Sequence, residues 1–320
     1  MKPEPCVIGD IGGTNARFAL ACPDRTGFVE EKSYSCAGFP SLEAAIEAFL
    51  LDIGLQGAGT ICLAVAGPIL DGAVQFTNSH WQIAEGPLKA GFSTDRVRLI
   101  NDFEAVAWAV PLLSDDACHR VGNARAPDLN LDDFTIGVLG PGTGLGAAGL
   151  VRRGGITATL VTEAGHVGFA PESPRQLELL ARLKDRFDRV SDERLASGAG
   201  VENIYSAYNP GEEPGPRAPE IFDRARSGDA DAVRSVDLFF EVLGQIAGNL
   251  ALSIGAFQGI YVAGGIAQRH LDLLTDSRFR SGFENKGRHR RIMEAIPTLA
   301  VTHPQPGLLG ASHIARQMLS

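Results

Sequence analysis

Two glycine-rich turns, each with one threonine and each preceded by a short apolar run, constrain the fold of this chain most strongly. The first lies in CVIGDIGGTNARFAL and contains Gly9, Asp10, Ile11, Gly12, Gly13 and Thr14. The second lies in TIGVLGPGTGLGAAGLV and contains Gly142, Thr143 and Gly144. Glycines let the backbone turn sharply and bring its N–H groups close to an anion, and a threonine hydroxyl adds a donor. Two such turns, far apart in the sequence, predict a polyphosphate site assembled from two halves of the molecule.

Each turn alone is equally typical of a simple β-hairpin, and Asp10 favours the phosphate hypothesis for the first one. A carboxylate placed between apolar residues and glycines is usually avoided unless it meets a cation or a donor. Magnesium bound to nucleotide phosphates would supply that cation, through water, because Mg²⁺ keeps much of its hydration shell. Asp10 is therefore the candidate magnesium residue.

The sequence excludes two other nucleotide-binding motifs, the dinucleotide-binding GxGxxG motif and the P-loop. Residues 144–149 formally fit GxGxxG, a pattern that requires a helix opening on its last glycine. Gly149 is instead followed by the turn-like RRGG and another β-rich run, which leaves no room for a helix. The P-loop pattern GxxxxGK[ST] does not occur in the sequence.

Charge and cysteine usage narrow the possible partners and the compartment. The net charge of −9 argues against nucleic acid and against an anionic membrane surface. The five cysteines form no CxxC pair, so they indicate buried thiols in a reducing cytoplasm and not a disulfide framework or a zinc site. The N-terminal MKPEP has no apolar signal core, and we expect no apolar run of membrane length.

Strands alternate with helices in two successive segments, which predicts an α/β architecture with two related halves. The predicted strands include 6–9, 16–21, 61–66 and 97–100 in the first segment. Helices are predicted over 42–54 with Ser41 as N-cap, 174–187 with Ser173 as N-cap, 199–208, 219–226, 229–254 and the C-terminal LLGASHIARQML. In the helix over 229–254, small residues such as Gly244 and Gly248 predict close packing of a neighbour.

Asp102 lies where a strand ends and a helix begins, in LINDFEAVAWAV. Phosphoryl transfer to an alcohol needs a base at the hydroxyl, and a carboxylate at such a junction suits that role. From the residues alone, however, a helix N-cap is the favoured interpretation. Glu163 and His166 are three residues apart across a glycine-containing turn that follows a strand predicted to be buried, so both side chains can reach one ligand.

The combination of motifs resembles the bacterial glucokinases, the hexokinase-like group of the actin/Hsp70/sugar-kinase superfamily. The resemblance covers nearly the whole chain and rests on GDIGGTNARFAL, LINDFEAVAWAVPLL, GPGTGLGAA, TEAGHVGFAP, SDERLASGAG, GNLALSIGAFQGIYVAGGI and QPGLLGA, in the family's order and at its spacing. It implies an α/β, two-domain actin-like ATPase (ribonuclease H-like) fold with a central cleft. The implied domains are a small one, 1–112 joined by the C-terminal helix 303–320, and a large one, 113–302.

The implied activity is ATP-dependent phosphorylation of D-glucose to glucose 6-phosphate, the first step of glycolysis, by a cytoplasmic homodimer that uses Mg²⁺. Neither nucleic acid nor a membrane is implied as a partner. A kinase for another hexose or amino sugar stays open, as does a non-catalytic sugar sensor. A sugar bound by residues of both domains would favour a closed state that shields ATP from water.

The resemblance also assigns roles to individual residues. Asp102 becomes the catalytic base, and the implied sugar ligands are Asn101, Asp102, Glu163, His166 and Glu193. Glu193 would be an exposed helix acid on the sequence alone. Residues 9–14 and 142–144 would contact phosphates, Asp10 would reach Mg²⁺ through water, and Gly264 and Gly265 would let the adenosine approach the backbone. No cysteine follows His166 in VGFAPESP, so the structural zinc of the related repressor group is not expected.

Overall fold

The computed structural model describes residues 4–74, 80–212 and 214–319. The ends of the predicted domains, residues 1–3 and 320, lie outside this range. In the described part of the chain the strands are β1 Cys6–Ile11, β2 Asn15–Ala21, β3 Phe28–Ser35, β4 Thr60–Val65, β5 Ile69–Leu70, β6 Ala73–Val74, β7 Ile83–Ala84, β8 Val97–Asn101, β9 Cys118–Arg120, β10 Phe134–Pro141, β11 Leu145–Arg153, β12 Ile156–Thr162, β13 Ile260–Val262 and β14 Thr298–Val301.

The helices in the described part of the chain include every helix that the sequence predicts. They are α1 Leu42–Asp52, α2 Glu85–Phe92, α3 Asp102–Ala109, α4 Pro174–Lys184, α5 Gly198–Tyr208, α6 Ala218–Arg226, α7 Ala230–Ile254, α8 Gly265–Arg269, α9 Leu271–Thr275, α10 Phe279–Glu284, α11 Arg290–Ala295 and α12 Pro306–Gln317. Ser41 and Ser173 are N-caps, as predicted, because their side chains accept hydrogen bonds from Ala44 N and Gln176 N. The helix predicted over 174–187 ends early, at Lys184.

The chain divides into two compact units, which we call unit 1 (residues 1–113 and 303–320) and unit 2 (residues 114–302). The main sheet of unit 1 has the order β3-β2-β1-β4-β8, and the sheet of unit 2 has the order β12-β11-β10-β13-β14-β9. Both begin with three antiparallel strands and continue with parallel ones, apart from the antiparallel edge strand β9. The two related halves that the sequence predicts are therefore present as a repeated topology.

The region after Gly149 confirms that the GxGxxG match is accidental. Strand β11 continues through Gly149 to Arg153 and pairs with β12. Gly154 and Gly155 form the turn between them with positive φ angles of 56° and 81°, a conformation that suits glycine. No helix opens at this point.

Helix α7 is the central helix of unit 2. By length and composition alone it is long and apolar enough to span a membrane, which we did not expect of any segment of the sequence. Of the most apolar window, 72% is buried inside the protein, which is typical of a core helix. Gly244 and Gly248 allow α10 to approach, since an added Cβ would overlap the carbonyl oxygen of Phe279 or lie 2.6 Å from that of Phe283.

In unit 1 the C-terminal helix α12 packs closely on α3, and Gly310 is the residue that permits the contact. A Cβ added to Gly310 would overlap the carbonyl oxygen of Ala105. We expect Gly310→Ala to destabilise the protein by about 1–3 kcal/mol, because two backbones must separate. Gly91→Ala on α2 is the matched control, since its Cβ would lie 3.9 Å from Glu43 Cγ, an ordinary contact. Thermal unfolding of both variants tests this; equal midpoints would contradict the packing described.

Candidate active site

The first glycine-rich turn is the tip of the β1–β2 hairpin. The amide of Gly12 donates to the carbonyl oxygen of Asn15 at 3.0 Å, and Gly13 and Thr14 are exposed. The Thr14 carbonyl accepts from Cys36 N at 2.9 Å, which ties the turn to the chain after β3. The turn is thus a hairpin whose tip leaves a hydroxyl and backbone groups accessible to a ligand.

Gly9 and Ile11 lie inside strand β1, and packing accounts for both. A Cβ on Gly9 would lie 2.7 Å from Leu63 Cδ2 and 3.1 Å from Phe18 Cδ1, so a larger residue would require these side chains to shift. The Ile11 side chain is fully buried in the core. A phosphate contact by these two residues stays a prediction and would have to use their backbone.

Asp10 is partly buried near the end of β1, directly opposite Arg17 on β2. An Arg17 guanidinium nitrogen lies 3.6 Å from its Oδ2. Burial raises the pKa of the Asp10 carboxyl, and the Arg17 charge opposes that rise. Gly307, at the start of α12, is so close that an added Cβ would lie 3.5 Å from Asp10 Cγ. Sequence reasoning missed both neighbours, although Arg17 lies within the same motif.

Asn101 and Asp102 end β8 and begin α3, and the N-cap is Asn101. Its Oδ1 accepts from Phe103 N at 2.9 Å and Glu104 N at 3.2 Å, while its Nδ2 donates to the Gly67 carbonyl at 3.3 Å. The interpretation of Asp102 as N-cap is therefore wrong: Asp102 is the first helical residue. Its Oδ1 accepts from Phe103 N at 2.9 Å, and the side chain is half-buried. Because Asn101 supplies the cap, the carboxylate of Asp102 does not have to.

The second glycine-rich turn joins β10 to β11 and connects the candidate residues of unit 2. Gly142 N donates to the Gly144 carbonyl at 2.8 Å, and Gly198 N, at the start of α5, donates to the Gly142 carbonyl at 2.9 Å. Thr143 is exposed at the tip. The turn therefore resembles the first one in its hairpin geometry and its accessible threonine.

Glu193 contacts this turn directly, which the sequence did not predict. It lies in a short 3₁₀ turn, Asp192–Arg194, and its Oε2 accepts from Leu145 N at 3.0 Å. A Cβ on Gly144 would overlap the same oxygen. The alternative of an exposed helix acid is wrong, because the carboxylate is half-buried against the loop. Glycine at 144 leaves room for it.

Asp192, next to Glu193, is 7% exposed, and burial raises the pKa of its carboxyl to about 7 against the opposing charge of Arg189. The usual pKa is 3.8, so the folded protein binds a proton that the unfolded chain releases. The contribution of Asp192 to the stability should therefore fall as the pH rises from about 4 to about 7 and level off above that. We expect Asp192→Asn to flatten this decline in urea unfolding curves. A variant with the parent's pH dependence would contradict it.

Glu163 precedes a 3₁₀ turn, Ala164–His166, of which His166 is the last residue, and both side chains are exposed. A Cβ on Gly165 would overlap the Leu145 carbonyl oxygen, so this turn packs on the residue that follows the glycine loop. The strand leading in, β12, is not buried as predicted. It is an edge strand, and Ile156 on it is 75% exposed.

Gly264 follows β13 and lies against the base of the second turn. Its φ of +89° suits glycine, and an added Cβ would lie 2.9 Å from the Pro141 carbonyl oxygen. Gly265 then begins α8. In unit 2, several candidate residues therefore lie near the start of β11. They are the loop 142–144, Glu163, Gly165, His166, Glu193 and Gly264. Unit 1 separately holds the loop 9–14, Asn101 and Asp102.

No group of three or more metal-ligating side chains occurs among the residues that the structure describes. Asp10 is a single carboxylate beside a phosphate-type turn. That arrangement fits Mg²⁺, which proteins commonly bind through one or two carboxylates, with substrate phosphates and water as its other ligands.

Known proteins resemble this chain over nearly its whole length. The sequence profile of the family described as Glucokinase matches residues 7–318. The glucokinase of Xylella fastidiosa (strain 9a5c) is 41% identical over 321 residues, which cover 98% of this chain and 95% of the relative.

Two crystal structures extend the comparison to the fold. A glucokinase from an Antarctic psychrotroph has a TM-score of 0.87 at 34% identity, with 99% of this chain and 100% of that one covered. A glucokinase from Balamuthia mandrillaris in complex with glucose has a TM-score of 0.81 at 25% identity, with 98% and 94% covered. The predicted actin-like ATPase fold is confirmed. Since the profile and the relatives span nearly the whole sequence, the chain belongs to the glucokinase family.

Proposed function

We propose that this enzyme, an ATP-dependent glucokinase, uses Asp102 as the base that activates the 6-hydroxyl of D-glucose. Asp102 takes the hydroxyl proton and the 6-oxygen attacks the γ-phosphorus. The bond from that phosphorus to its bridging oxygen breaks, and ADP leaves. The half-buried position of this carboxylate at the junction of β8 and α3, where Asn101 is the N-cap, is the observation that supports this role.

We propose that glucose is held by Asn101 and Asp102 of unit 1 and by Glu163, His166 and Glu193 of unit 2. Asn101 is 7% exposed and uses its Oδ1 in capping, so its second amide N–H is the donor left for a sugar hydroxyl. The contacts of Glu193 and Gly165 with Leu145 support a sugar site beside the second phosphate turn.

Residues 9–14 and 142–144 are proposed to surround the phosphates of ATP. Their exposed threonines, Thr14 and Thr143, and the turn amides would donate to the phosphate oxygens. Gly264 and Gly265 would let adenosine lie against the backbone. When bound, Mg²⁺ would neutralise phosphate charge, and Asp10 would hold it through water.

A cytoplasmic homodimer completes the proposal. Strand β12 supports self-association, because it is an edge strand of its sheet in the described part of the chain and exposes Ile156 and Val161. We expect a dimer in light scattering, and a shift towards monomer in Val161→Lys. A monomeric parent protein would refute the dimer without affecting the catalytic proposal.

A coupled ADP-release assay tests the function most simply. Glucose, mannose, fructose, galactose and glucosamine are compared at saturating Mg-ATP, and we expect the highest kcat/KM for glucose. A higher value for another sugar would assign a different hexose kinase. No ADP release with any sugar would favour a sugar sensor.

Glu163→Gln and His166→Ala test the sugar ligands of unit 2. Glu163→Gln removes the charge and one of the two acceptor oxygens, and His166→Ala removes the ring nitrogens, so we expect the KM for glucose to rise by about 10-fold or more, with little change in the KM for ATP. Glu178→Gln, an exposed acid on α4, is the control. Parent-like KM values in both variants would make the turn purely structural.

A further inference from the structure

Unit 2 contains a polar pocket of about 270 Å³ that has no part in the proposed reaction. It is formed by the start of α4, the middle of α7 and the region of α10 and α11. Three of its polar side chains, Gln176, Glu241 and Gln245, are at most 7% exposed. Buried polar groups are costly unless they find partners, so the pocket's hydrogen bonds indicate what it can bind.

Gln245 has a buried acceptor that no described residue satisfies. Its Nε2 donates to the Ala170 carbonyl at 2.5 Å, which fixes the orientation of the amide. Its Oε1 has no hydrogen-bond partner among the residues of the described ranges. An unpaired buried acceptor is costly. Because Gln245 lines the pocket, a donor that reaches this oxygen from the pocket removes that cost.

The two carboxylates of the pocket already have partners. Glu241 accepts from Gln176 Nε2 at 3.1 Å and is paired with Arg278 Nε at 2.7 Å and with Arg175. Glu172 accepts from Asn285 Nδ2 at 3.1 Å and Lys286 Nζ at 2.9 Å. Neither acid leaves a strong unbalanced negative charge in the pocket.

The other polar groups that line the pocket are mainly hydrogen-bond donors. A guanidinium carries five N–H groups, and the contact of Arg278 with Glu241 uses its Nε. Arg290 also lines the pocket, with its Nε 3.0 Å from Glu294 Oε1, and Ser173 and Ser281 add hydroxyls. Guanidinium groups favour oxyanions, which accept from them in fixed geometry.

We propose that this pocket binds a small oxyanion that carries its own hydroxyl group. The anion accepts N–H groups from Arg278 and Arg290 and donates its hydroxyl to Gln245 Oε1. Hydrogen phosphate is such a molecule, and the volume also accommodates the phosphate ester of a small polyol. The proposal is independent of the residues assigned to glucose and ATP.

Calorimetric titration of the full chain tests the site, with glucose and a non-hydrolysable ATP analogue filling the catalytic site. The probes are inorganic phosphate, sulfate and glycerol 3-phosphate at about pH 7. Sulfate matches hydrogen phosphate in charge and shape but has no hydroxyl, so we expect it to bind about 10-fold more weakly or worse. Tighter binding of glycerol 3-phosphate than of phosphate would identify an organic ester as the ligand.

Two variants test the contact with the hydroxyl group and the contact with the anion separately. Gln245→Met should abolish the preference for phosphate over sulfate, and Arg290→Gln should weaken both anions. Arg234→Gln is the control, an exposed arginine on α7 that pairs with Asp231. Arg290 is largely exposed, so its variant remains informative even if Gln245→Met fails to fold. The absence of binding, equal affinity for phosphate and sulfate, or an unchanged Arg290→Gln would overturn the proposal.

Discussion

Asp102→Asn is expected to lower kcat by about 10²- to 10⁴-fold, the usual contribution of a general base. The amide keeps the size of the side chain and can still accept from Phe103 N, so the start of α3 should remain intact. The dissociation constant of glucose should change little, because proton abstraction acts mainly in the transition state. Steady-state rates and a direct binding titration measure the two quantities separately.

Asp95→Asn is the matched control for this experiment. Asp95 is exposed and precedes β8, whereas Asp102 follows the same strand. The control should keep the parent rate. A correctly folded Asp102→Asn enzyme with parent-like turnover would exclude Asp102 as the base.

Glu193 should give the second large effect, because it contacts the phosphate turn and is proposed to bind the sugar. In Glu193→Ala we expect the KM values for glucose and for ATP both to rise, by about 10- to 100-fold for glucose, since hydrogen bonds to charged groups are worth about 1.5–3 kcal/mol. The ATP effect follows from the loss of the acceptor for Leu145 N.

Glu193→Gln separates the two roles. Its amide oxygen can still accept from Leu145 N, so the KM for ATP should stay near the parent value while that for glucose rises. Gly144→Ala should behave like Glu193→Ala, because its Cβ displaces the carboxylate. Gly211→Ala, in a loop of unit 2 with no atom within 4 Å of the added Cβ, serves as control. If the KM for ATP rose as much in Glu193→Gln as in Glu193→Ala, the proposed role of the hydrogen bond from Leu145 N to Glu193 would be refuted.

Local signals in the sequence were sufficient for the elements that position the site. Ser41 and Ser173 are followed by amphipathic stretches, and the glycines of both turns end apolar runs, so caps and hairpins could be placed directly. The order of strands and helices predicted the repeated α/β topology. Asp102 was assigned to the correct junction, although the cap itself is Asn101.

Elements without a strong hydrophobic pattern were missed. Strand β3 is mostly exposed, and β9 is only three residues long within a polar stretch. Both are edge strands stabilised by pairing with a neighbour that the local sequence does not specify. The short helices α9–α11 are defined by packing in unit 2.

Long-range contacts of single side chains were equally inaccessible. Glu193 and Leu145 are 48 residues apart, and no residue near Glu193 in the sequence indicates that its carboxylate accepts a hydrogen bond from a backbone amide. The unsatisfied oxygen of Gln245 likewise depends on how α7 meets the segment around Ala170. Such contacts follow from the tertiary arrangement of elements and not from local spacing.

A crystal structure with glucose and a non-hydrolysable ATP analogue would test the central assignment most directly. The account predicts a carboxylate oxygen of Asp102 about 2.6–3.2 Å from the 6-oxygen of glucose, with the analogue's phosphates contacted by the turns that contain Thr14 and Thr143. A 6-hydroxyl that faces another group, or phosphates bound away from both turns, would contradict it.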